Sequence, residues 1–191
     1  HHLKNTKGCK LTLLPFDPIT LEFNSEVCEE LFCNNRPDIL VITHASNVCG
    51  AIFPIKEITS LAKKFGAITI VDMSQSAGIV PCNISSDNID FAVFAGHKSL
   101  LGPFGIGGFI CKQNENRLSP ILFGGNGINS EAQDMPSELE QMEEIGSKNV
   151  YAIAGLHAAI TFIGESLAPL RQAEQQNSQS LHELLESYAN I

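Results

Sequence analysis

Short apolar segments alternate with longer segments of helical periodicity over most of the chain. Five segments have the composition of β-strands. These are KLTLLPF (10–16), DILVITH (38–44), AITIVDM (67–73), DFAVFAGH (90–97) and GIGGFIC (105–111). The second is predicted to be a buried strand, and the last three are continuous enough in apolar residues to be covered on both faces of a sheet.

Two segments between these strands have the periodicity of amphipathic helices. NSEVCEELFC (24–33) is short, whereas IKEITSLAKKFG (55–66) has an apolar face and ends at Gly66, a residue typical of a helix C-cap. The apolar face of the longer helix is formed by Ile55, Ile58, Leu61, Ala62 and Phe65. Strands and helices in this order predict an α/β fold with a mainly parallel sheet, right-handed crossovers and helices on both faces.

The last third of the chain has a different pattern. Residues 113–148 are polar and glycine-rich, which predicts long loops. VYAIAGLHAAITFIG (150–164) predicts a buried helix, and a second, more exposed helix is expected at about 169–188. Because the chain starts without Met and still has a helical pattern at its last residue, we expect a fragment of a longer protein. We expect residues 1–165 to be part of a large domain and residues 166–191 to be a helix that leads toward a further C-terminal domain.

Composition narrows the class of partner. The 191 residues are 43% hydrophobic, which is sufficient for the core of one domain, and 12 basic against 21 acidic residues give a net charge of −9. That charge repels nucleic acid and anionic lipid surfaces. No apolar run approaches the roughly 20 residues of a membrane span, and the N-terminus lacks the pattern of a signal peptide. We therefore predict a cytoplasmic protein that binds neither nucleic acid nor membrane.

The cysteines point to neither a metal site nor a disulfide scaffold. They are scattered and contain no C-x-x-C pair, which favours reduced, mostly structural thiols. The six are Cys9, Cys28, Cys33, Cys49, Cys82 and Cys111.

Polar residues follow three of the predicted strands, in ITHASNVCG (42–50), IVDMSQSAG (70–78) and VFAGHKSLLGP (93–103). Ligands of open parallel sheets bind beyond the carboxyl ends of the strands, so these segments are expected at one binding edge. An aspartate in apolar sequence, Asp72, needs a partner, and Lys98 could form an ion pair with it. Alternatively, a lysine and an acid together are what pyridoxal phosphate requires.

These three segments carry a family resemblance. THASNVCG, VDMSQSAG and GHKSLLGPFGIGG, in this order and spacing, resemble the cofactor-binding domain of the class V aminotransferase family, and are most similar to its cysteine desulfurases. The resemblance covers roughly residues 10–165. It implies the large domain of fold-type I pyridoxal-phosphate enzymes, with pyridoxal 5'-phosphate as the cofactor.

The resemblance also implies roles for individual residues. Lys98 would form the Schiff base with the cofactor, and Asp72 would pair with the pyridinium nitrogen. Gln75 and Asn47 would lie at the oxygen of the ring hydroxyl, and His97 would bind the phosphate. The glycines around Lys98 are interpreted as room for a ring and a phosphate.

A further segment implies a homodimer. MEEIGSKN (142–149) resembles the family's E-x-G-T-x-N segment, in which a hydroxyl reaches across a dimer interface to the phosphate of the partner subunit. Ser147 stands where threonine is usual; a helix cap is the alternative role for this residue. Ala95 replaces a serine that often helps to hold the phosphate. Cys49 is interpreted as filler, and His44 as a residue that satisfies loop carbonyls.

The resemblance implies a function for the complete protein. It would be a cysteine desulfurase that converts L-cysteine to L-alanine and retains the sulfur as an enzyme persulfide, for transfer to a possible sulfur-acceptor protein. The cysteine that takes the sulfur and the arginine that binds the substrate carboxylate are expected outside this chain, so the chain alone is expected to be inactive.

Three alternatives stay open. Another class V enzyme, such as a selenocysteine lyase or an aminotransferase, shares the same lysine and sheet. A non-catalytic truncated module is the second alternative. A nucleotide-binding domain with GPFGIGG as its phosphate loop is disfavoured, because the loop precedes a strand instead of opening a helix.

Overall fold

The computed structural model contains four helices and four strands among the residues that it describes. They are α1 (His2–Lys7), α2 (Ser25–Asn35), β1 (Ile39–Thr43), α3 (Ile55–Lys64), β2 (Ile68–Asp72), β3 (Phe91–Ala95), β4 (Gly107–Cys111) and α4 (Val150–Glu186). The described residues are 2–112, 118–125, 127, 131, 134 and 145–188.

The chain forms two compact units. Unit 1 comprises residues 1–75 and 82–93, and unit 2 comprises residues 76–81 and 94–191. The strand order is β1-β2-β3-β4, and the boundary between the units falls within β3. Unit 1 therefore contains β1, β2 and the first three residues of β3.

The strands of unit 1 are parallel. Thr43 of β1 pairs with Asp72 of β2, and Asp72 pairs in turn with Val93 of β3. Parallel strands end at the same edge of a sheet, so the residues that follow β1 and β2 leave from one edge. The prediction of a mainly parallel sheet is confirmed for these strands.

Helix α3 supplies the apolar cover of unit 1. Its buried face contains Ile55, Ile58, Leu61 and Ala62, as its periodicity predicts, and the helix contacts β2. Gly66 follows the helix with φ +78°, the left-handed conformation expected after a helix C-terminus.

The structure corrects two burial predictions: that β1 is a buried strand, and that β4, the last of the predicted strands, is covered on both faces. In β1, Leu40 and Ile42 are buried, whereas Ile39 and Val41 are 53% and 67% exposed. In β4, Phe109 and Ile110 are exposed as well. Apolar composition reports strand propensity, but it does not report whether a second layer is present to cover each face.

A partly buried ion pair joins α3 to the segment just before β3 in unit 1. The Lys63 ammonium group donates to Asp90 Oδ2, which also accepts from the Thr69 backbone N–H at 2.8 Å. Burial alone would raise the pKa of Asp90, but the hydrogen bonds from Lys63 and Thr69 outweigh it and hold this pKa below its ordinary value. Asp90 is therefore ionised in the folded state over most of the pH range.

We expect Asp90→Asn to lower the free energy of unfolding by about 2 kcal/mol at pH 7, because the amide cannot match a carboxylate as the acceptor for Lys63. Because the pKa of Asp90 is depressed by folding, its contribution is present above the ordinary pKa of about 3.9 and is lost as the pH falls further. Urea unfolding of the wild type and of Asp90→Asn, at pH 7 and at pH 3, measures the loss of stability at each pH. Glu29→Gln, at the exposed pair with Lys64, is the control and should change stability by less than about 0.5 kcal/mol. An equal loss at both pH values would contradict the prediction.

The predicted strand at 10–16 does not form. Its end makes only an isolated antiparallel bridge between Phe16 and Phe23. The Phe16 ring packs instead against Phe53, with ring centroids 4.8 Å apart, while Leu13 is exposed. A segment with strand propensity does not form a strand unless a neighbouring strand completes its backbone hydrogen bonds.

In unit 2 the two predicted C-terminal helices are one continuous helix, α4, which passes through Pro169. Proline removes one backbone hydrogen bond, which makes a helix break common but not obligatory. The Arg171 side chain fastens the second half of the helix, since its Nε donates to Ile79 O at 2.7 Å. The predicted domain boundary between residues 165 and 166 falls inside α4 and stays a prediction.

The expectation that residues 150–164 form a buried helix is wrong for much of its surface. Leu156 and Ile163 of α4 pack with Leu100 in the core of unit 2, whereas Tyr151 on the same helix is 90% exposed. The helix therefore buries one stripe, although its sequence is apolar on all sides.

Among the described residues, α4 is the one helix long and apolar enough to cross a membrane, with a mean hydropathy of 1.4 over 18 residues. Core helices of proteins without a membrane span meet the same criterion, so this finding is weak evidence. The absence of a membrane partner stays a prediction.

Candidate functional site

Asp72 is held at the carboxyl end of β2 by backbone bonds on both sides. The His44 N–H donates to Asp72 O at 2.9 Å, and the next residue, Met73, donates its N–H to Val93 O at 2.8 Å. The half-buried carboxylate accepts the Ser74 N–H at 2.9 Å through Oδ1. One acidic group is thus fixed where ligands of parallel sheets bind.

Asn47 lies in a closed turn that follows β1. The Gly50 N–H donates to Ser46 O at 3.1 Å, and the Ser46 N–H donates to Ala51 O at 2.9 Å. Asn47 is exposed at this turn, and Gln75 is half-buried in the segment after β2. Unit 1 therefore carries Asn47, Asp72 and Gln75 in segments that leave the sheet from one edge.

Cys49 is also exposed in this turn. Hydrogen bonds with the Ser46 side chain and the Ala51 backbone lower the pKa of its thiol. All six cysteines are free, as predicted, but only Cys28 is buried. The interpretation of these cysteines as mostly structural is therefore too broad.

His44 differs from its sequence interpretation. Its side chain is 4% exposed, and Nδ1 has no hydrogen-bond partner among the residues that the structure describes. Burial lowers the pKa of this imidazole, which keeps the ring neutral near pH 7. It does not satisfy a loop carbonyl through Nδ1.

In unit 2, residues 96–106 form a compact segment that we call the lysine loop. The Gly96 N–H donates to Ile106 O at 2.9 Å, which closes the two ends of the loop. Inside it, the Gly102 N–H donates to Gly96 O at 2.7 Å, and the Leu101 N–H donates to Lys98 O at 2.9 Å. These three bonds fix the backbone around Lys98.

The glycines of the loop serve close packing. A Cβ atom on Gly102 would lie 2.8 Å from Gly96 O, and one on Gly96 would lie 2.7 Å from Ile106 Cγ2. A Cβ on Gly155 of α4 would lie 2.9 Å from Pro103 Cγ. The space at Gly96 and Gly102 is thus filled by the chain itself, which corrects the interpretation that these glycines leave room for a ring and a phosphate.

Lys98 and His97 are both exposed on the lysine loop. Among the described residues of unit 2, none accepts a hydrogen bond from the Lys98 side chain or pairs with its charge. The His97 ring stacks on Phe104, with centroids 4.8 Å apart and an angle of 27° between the rings. Sequence reasoning missed Phe104, which occupies the variable position of GPFGIGG; an aromatic residue there was the available signal.

Ser147 is exposed in the segment before α4. The helix cap is Asn149, whose side chain accepts the Ala152 N–H at 3.1 Å, so the alternative role of Ser147 as the cap is wrong. The hydroxyl of Ser147 is therefore not needed by the helix. Residues 142–144 of the MEEIGSKN segment lie outside the described residues.

The side chains present are chemically suited to pyridoxal phosphate. Lys98 is an exposed amine on a rigid loop, which an aldehyde could reach, and Asp72 offers a fixed carboxylate for a ring nitrogen. Asn47 and Gln75 carry amide donors, and His97 carries an imidazole donor suited to a phosphate. The residues therefore fit this cofactor by their chemistry.

Curated relatives share the sequence at moderate identity. A probable cysteine desulfurase of Methanothermobacter thermautotrophicus is 29% identical over 157 residues, which cover 80% of this chain and 39% of that protein. A cysteine desulfurase of Yersinia pestis is 36% identical over 146 residues, covering 72% of this chain and 35% of that protein. The chain thus spans well under half the length of these relatives.

A solved structure shares the fold. The apo structure of a cysteine desulfurase from Thermococcus onnurineus NA1 matches with a TM-score of 0.87 and 28% identity, covering 97% of this chain and 47% of that one. This likeness agrees with the α/β fold expected from the sequence. The sequence also matches the family Aminotransferase class-V over residues 1–191. The chain therefore belongs to the class V aminotransferase family, whose members are pyridoxal-phosphate enzymes.

Proposed function

We propose that the protein is a pyridoxal-phosphate-dependent cysteine desulfurase. It converts L-cysteine and an enzyme thiol into L-alanine and an enzyme persulfide, a reaction in which atoms balance without a further reactant. The observation that carries the proposal is the placement of Lys98. It is exposed on the lysine loop of unit 2, whose ends are closed by the hydrogen bond from the Gly96 N–H to Ile106 O.

Lys98 has two roles in this proposal. When bound, the cofactor supplies an aldehyde for covalent attachment and a ring that takes up electrons from the substrate carbon. Lys98 Nζ is the point of attachment. Its free amine would also serve as the general base that takes the proton from the substrate α-carbon.

The other residues bind and orient. The Asp72 carboxylate holds a proton on the ring nitrogen, which keeps the ring electron-withdrawing. Asn47 and Gln75 donate to the ring oxygen, and His97 donates to the phosphate. The positions of Asn47 and Gln75, both in segments that follow parallel strands, support these roles.

We infer a homodimer, in which the Ser147 hydroxyl binds the phosphate of the partner subunit. The exposure of Ser147 and its absence from the cap of α4 support this role. A sulfur-acceptor protein is the expected downstream partner, and the cytoplasm is the expected location. We also propose that residues 1–165 belong to the cofactor-binding domain and that residues 166–191 lead out of it.

Borohydride trapping tests the proposal. The purified full-length protein is mixed with pyridoxal 5'-phosphate and reduced with borohydride, and modified lysines are mapped by peptide mass spectrometry. We expect one adduct, at Lys98. Failure to form an adduct at Lys98 would refute the cofactor chemistry. It would favour the alternative hypothesis of a non-catalytic module.

The same preparation separates the alternative enzymes. A desulfurase forms alanine from cysteine in step with persulfide, whereas an aminotransferase needs a keto-acid acceptor. A selenocysteine lyase releases alanine much faster from selenocysteine than from cysteine. Alanine formed only with a keto acid or only from selenocysteine would contradict the proposed substrate.

A further inference from the structure

The lysine loop contains an aromatic contact to which no role has been assigned. His97 and Phe104 stack with centroids 4.8 Å apart and 27° between the ring planes. We propose that Phe104 is a positioning residue, which holds the His97 imidazole in the orientation needed to bind a phosphate monoester. This inference rests on the proposed function, because it assumes that the phosphate belongs to pyridoxal phosphate.

The chain next to Phe104 packs against α4. Its neighbour Pro103 lies against α4, where a Cβ on Gly155 would come within 2.9 Å of Pro103 Cγ. On its other side, Gly105 has φ +81°, and a Cβ there would lie 3.6 Å from Asn149 Nδ2 at the start of α4. The backbone at Pro103, next to Phe104, is therefore packed against α4.

In this proposal, His97 takes its orientation from its stack with Phe104. It is exposed, and two side-chain torsions would otherwise be free to rotate in solvent. Phe104 is 83% exposed, so its stack with His97 lies at the surface. Stacking restricts the imidazole to orientations roughly parallel to the Phe104 ring. The N–H groups lie in the imidazole plane, so they point to the side of the stack and not at the Phe104 ring.

Restricting His97 before binding raises affinity for a phosphate, because less side-chain freedom is lost when the hydrogen bond forms. Beyond the contribution of burying the two rings, the free energy of a stacked aromatic pair corresponds to a factor of about three to ten in an equilibrium constant. We therefore expect the contribution of Phe104 to cofactor binding to be of this size and to act through the phosphate group.

The test compares Phe104→Leu, which removes the ring but keeps an apolar side chain, with the matched control Phe104→Tyr, which keeps the ring. Dissociation constants are measured for pyridoxal 5'-phosphate and for pyridoxal, which lacks the phosphate. Phe104→Leu should weaken binding of the phosphorylated form about threefold to tenfold and change binding of pyridoxal by less than about twofold. Phe104→Tyr should change neither by more than about twofold.

Nuclear magnetic resonance of the cofactor-free protein provides a readout that is independent of activity. The ring-proton signals of His97, assigned with His97→Gln, should be displaced by the ring current of the aromatic partner in the wild type and in Phe104→Tyr. This displacement should be absent in Phe104→Leu. Circular dichroism of Phe104→Leu should match the wild type, because the residue is exposed.

Each adverse outcome has a separate meaning. Loss of the ring-current displacement with unchanged affinity for pyridoxal phosphate would overturn the positioning role and leave the proposed function intact. Equal weakening for pyridoxal and its phosphate would also overturn it, because the effect would not pass through the phosphate. If the wild type formed no adduct at Lys98, the proposed function would fail, and the inference with it.

Discussion

Lys98→Arg is expected to lower alanine formation from cysteine by at least about a thousandfold. Arginine keeps the positive charge and much of the length of lysine, but its guanidinium stays protonated at all accessible pH values. It can therefore neither attack an aldehyde nor accept a proton from the substrate carbon. Loss of a general base alone costs about a hundredfold to ten thousandfold, and loss of the covalent anchor adds to this.

The measurement is a steady-state assay with cysteine, together with borohydride trapping of the variant. Lys112→Arg, the same substitution just after β4 in unit 2, is the matched control and should retain both activity and the adduct at Lys98. The prediction fails if Lys98→Arg retains more than about a tenth of the wild-type rate, or if trapping in the variant finds a productive adduct at another lysine.

Asp72→Asn is expected to lower kcat by about a hundredfold to a thousandfold, equivalent to about 3 to 4 kcal/mol of activation free energy. Asparagine has an oxygen that can still accept the Ser74 N–H, so the segment after β2 should keep its backbone. In the proposed function, what is lost is the negative charge that would hold a proton on the ring nitrogen. Without that proton the ring withdraws fewer electrons from the substrate carbon.

The expected signature is a large fall in kcat while the adduct at Lys98 still forms. Asp38→Asn, at an exposed aspartate just before β1, is the control and should leave kcat within about twofold of the wild type. An unchanged kcat in Asp72→Asn would show that Asp72 does not serve the ring nitrogen. A variant that no longer folds, as judged by circular dichroism, would instead assign Asp72 a structural role.

Much of the fold of unit 1 was predictable from periodicity. The apolar face of α3 follows from a spacing of 3.6 residues, and the apolar composition of β1 and β2 indicates strands; both are local properties of the sequence. The failures have a common origin. The segment at 10–16 has strand composition but no neighbouring strand with which to pair, and Pro169 would end an isolated helix more readily than one that is fastened by Arg171.

The candidate site was predictable only where a motif carried it. Lys98, His97 and Asp72 stand out as polar residues beside apolar strands, and the motif order made them recognisable. Phe104 did not stand out, because its contact with His97 joins two residues of a loop, where no regular secondary structure determines which side chains meet. Ser147 could equally have been a helix cap until the structure assigned that role to Asn149.

By itself, the sequence determined the types of most elements and the identities of the reactive side chains, because periodicity and chemical character are properties of the residues alone. The tertiary structure decided which strand faces are covered, what the loop glycines are for, and which ring His97 stacks on. Those outcomes depend on contacts between distant segments, such as Gly96 with Ile106 and Gly155 with Pro103. Close packing of this kind is settled by distances of a few tenths of an ångström, which residue type and spacing along the chain do not encode.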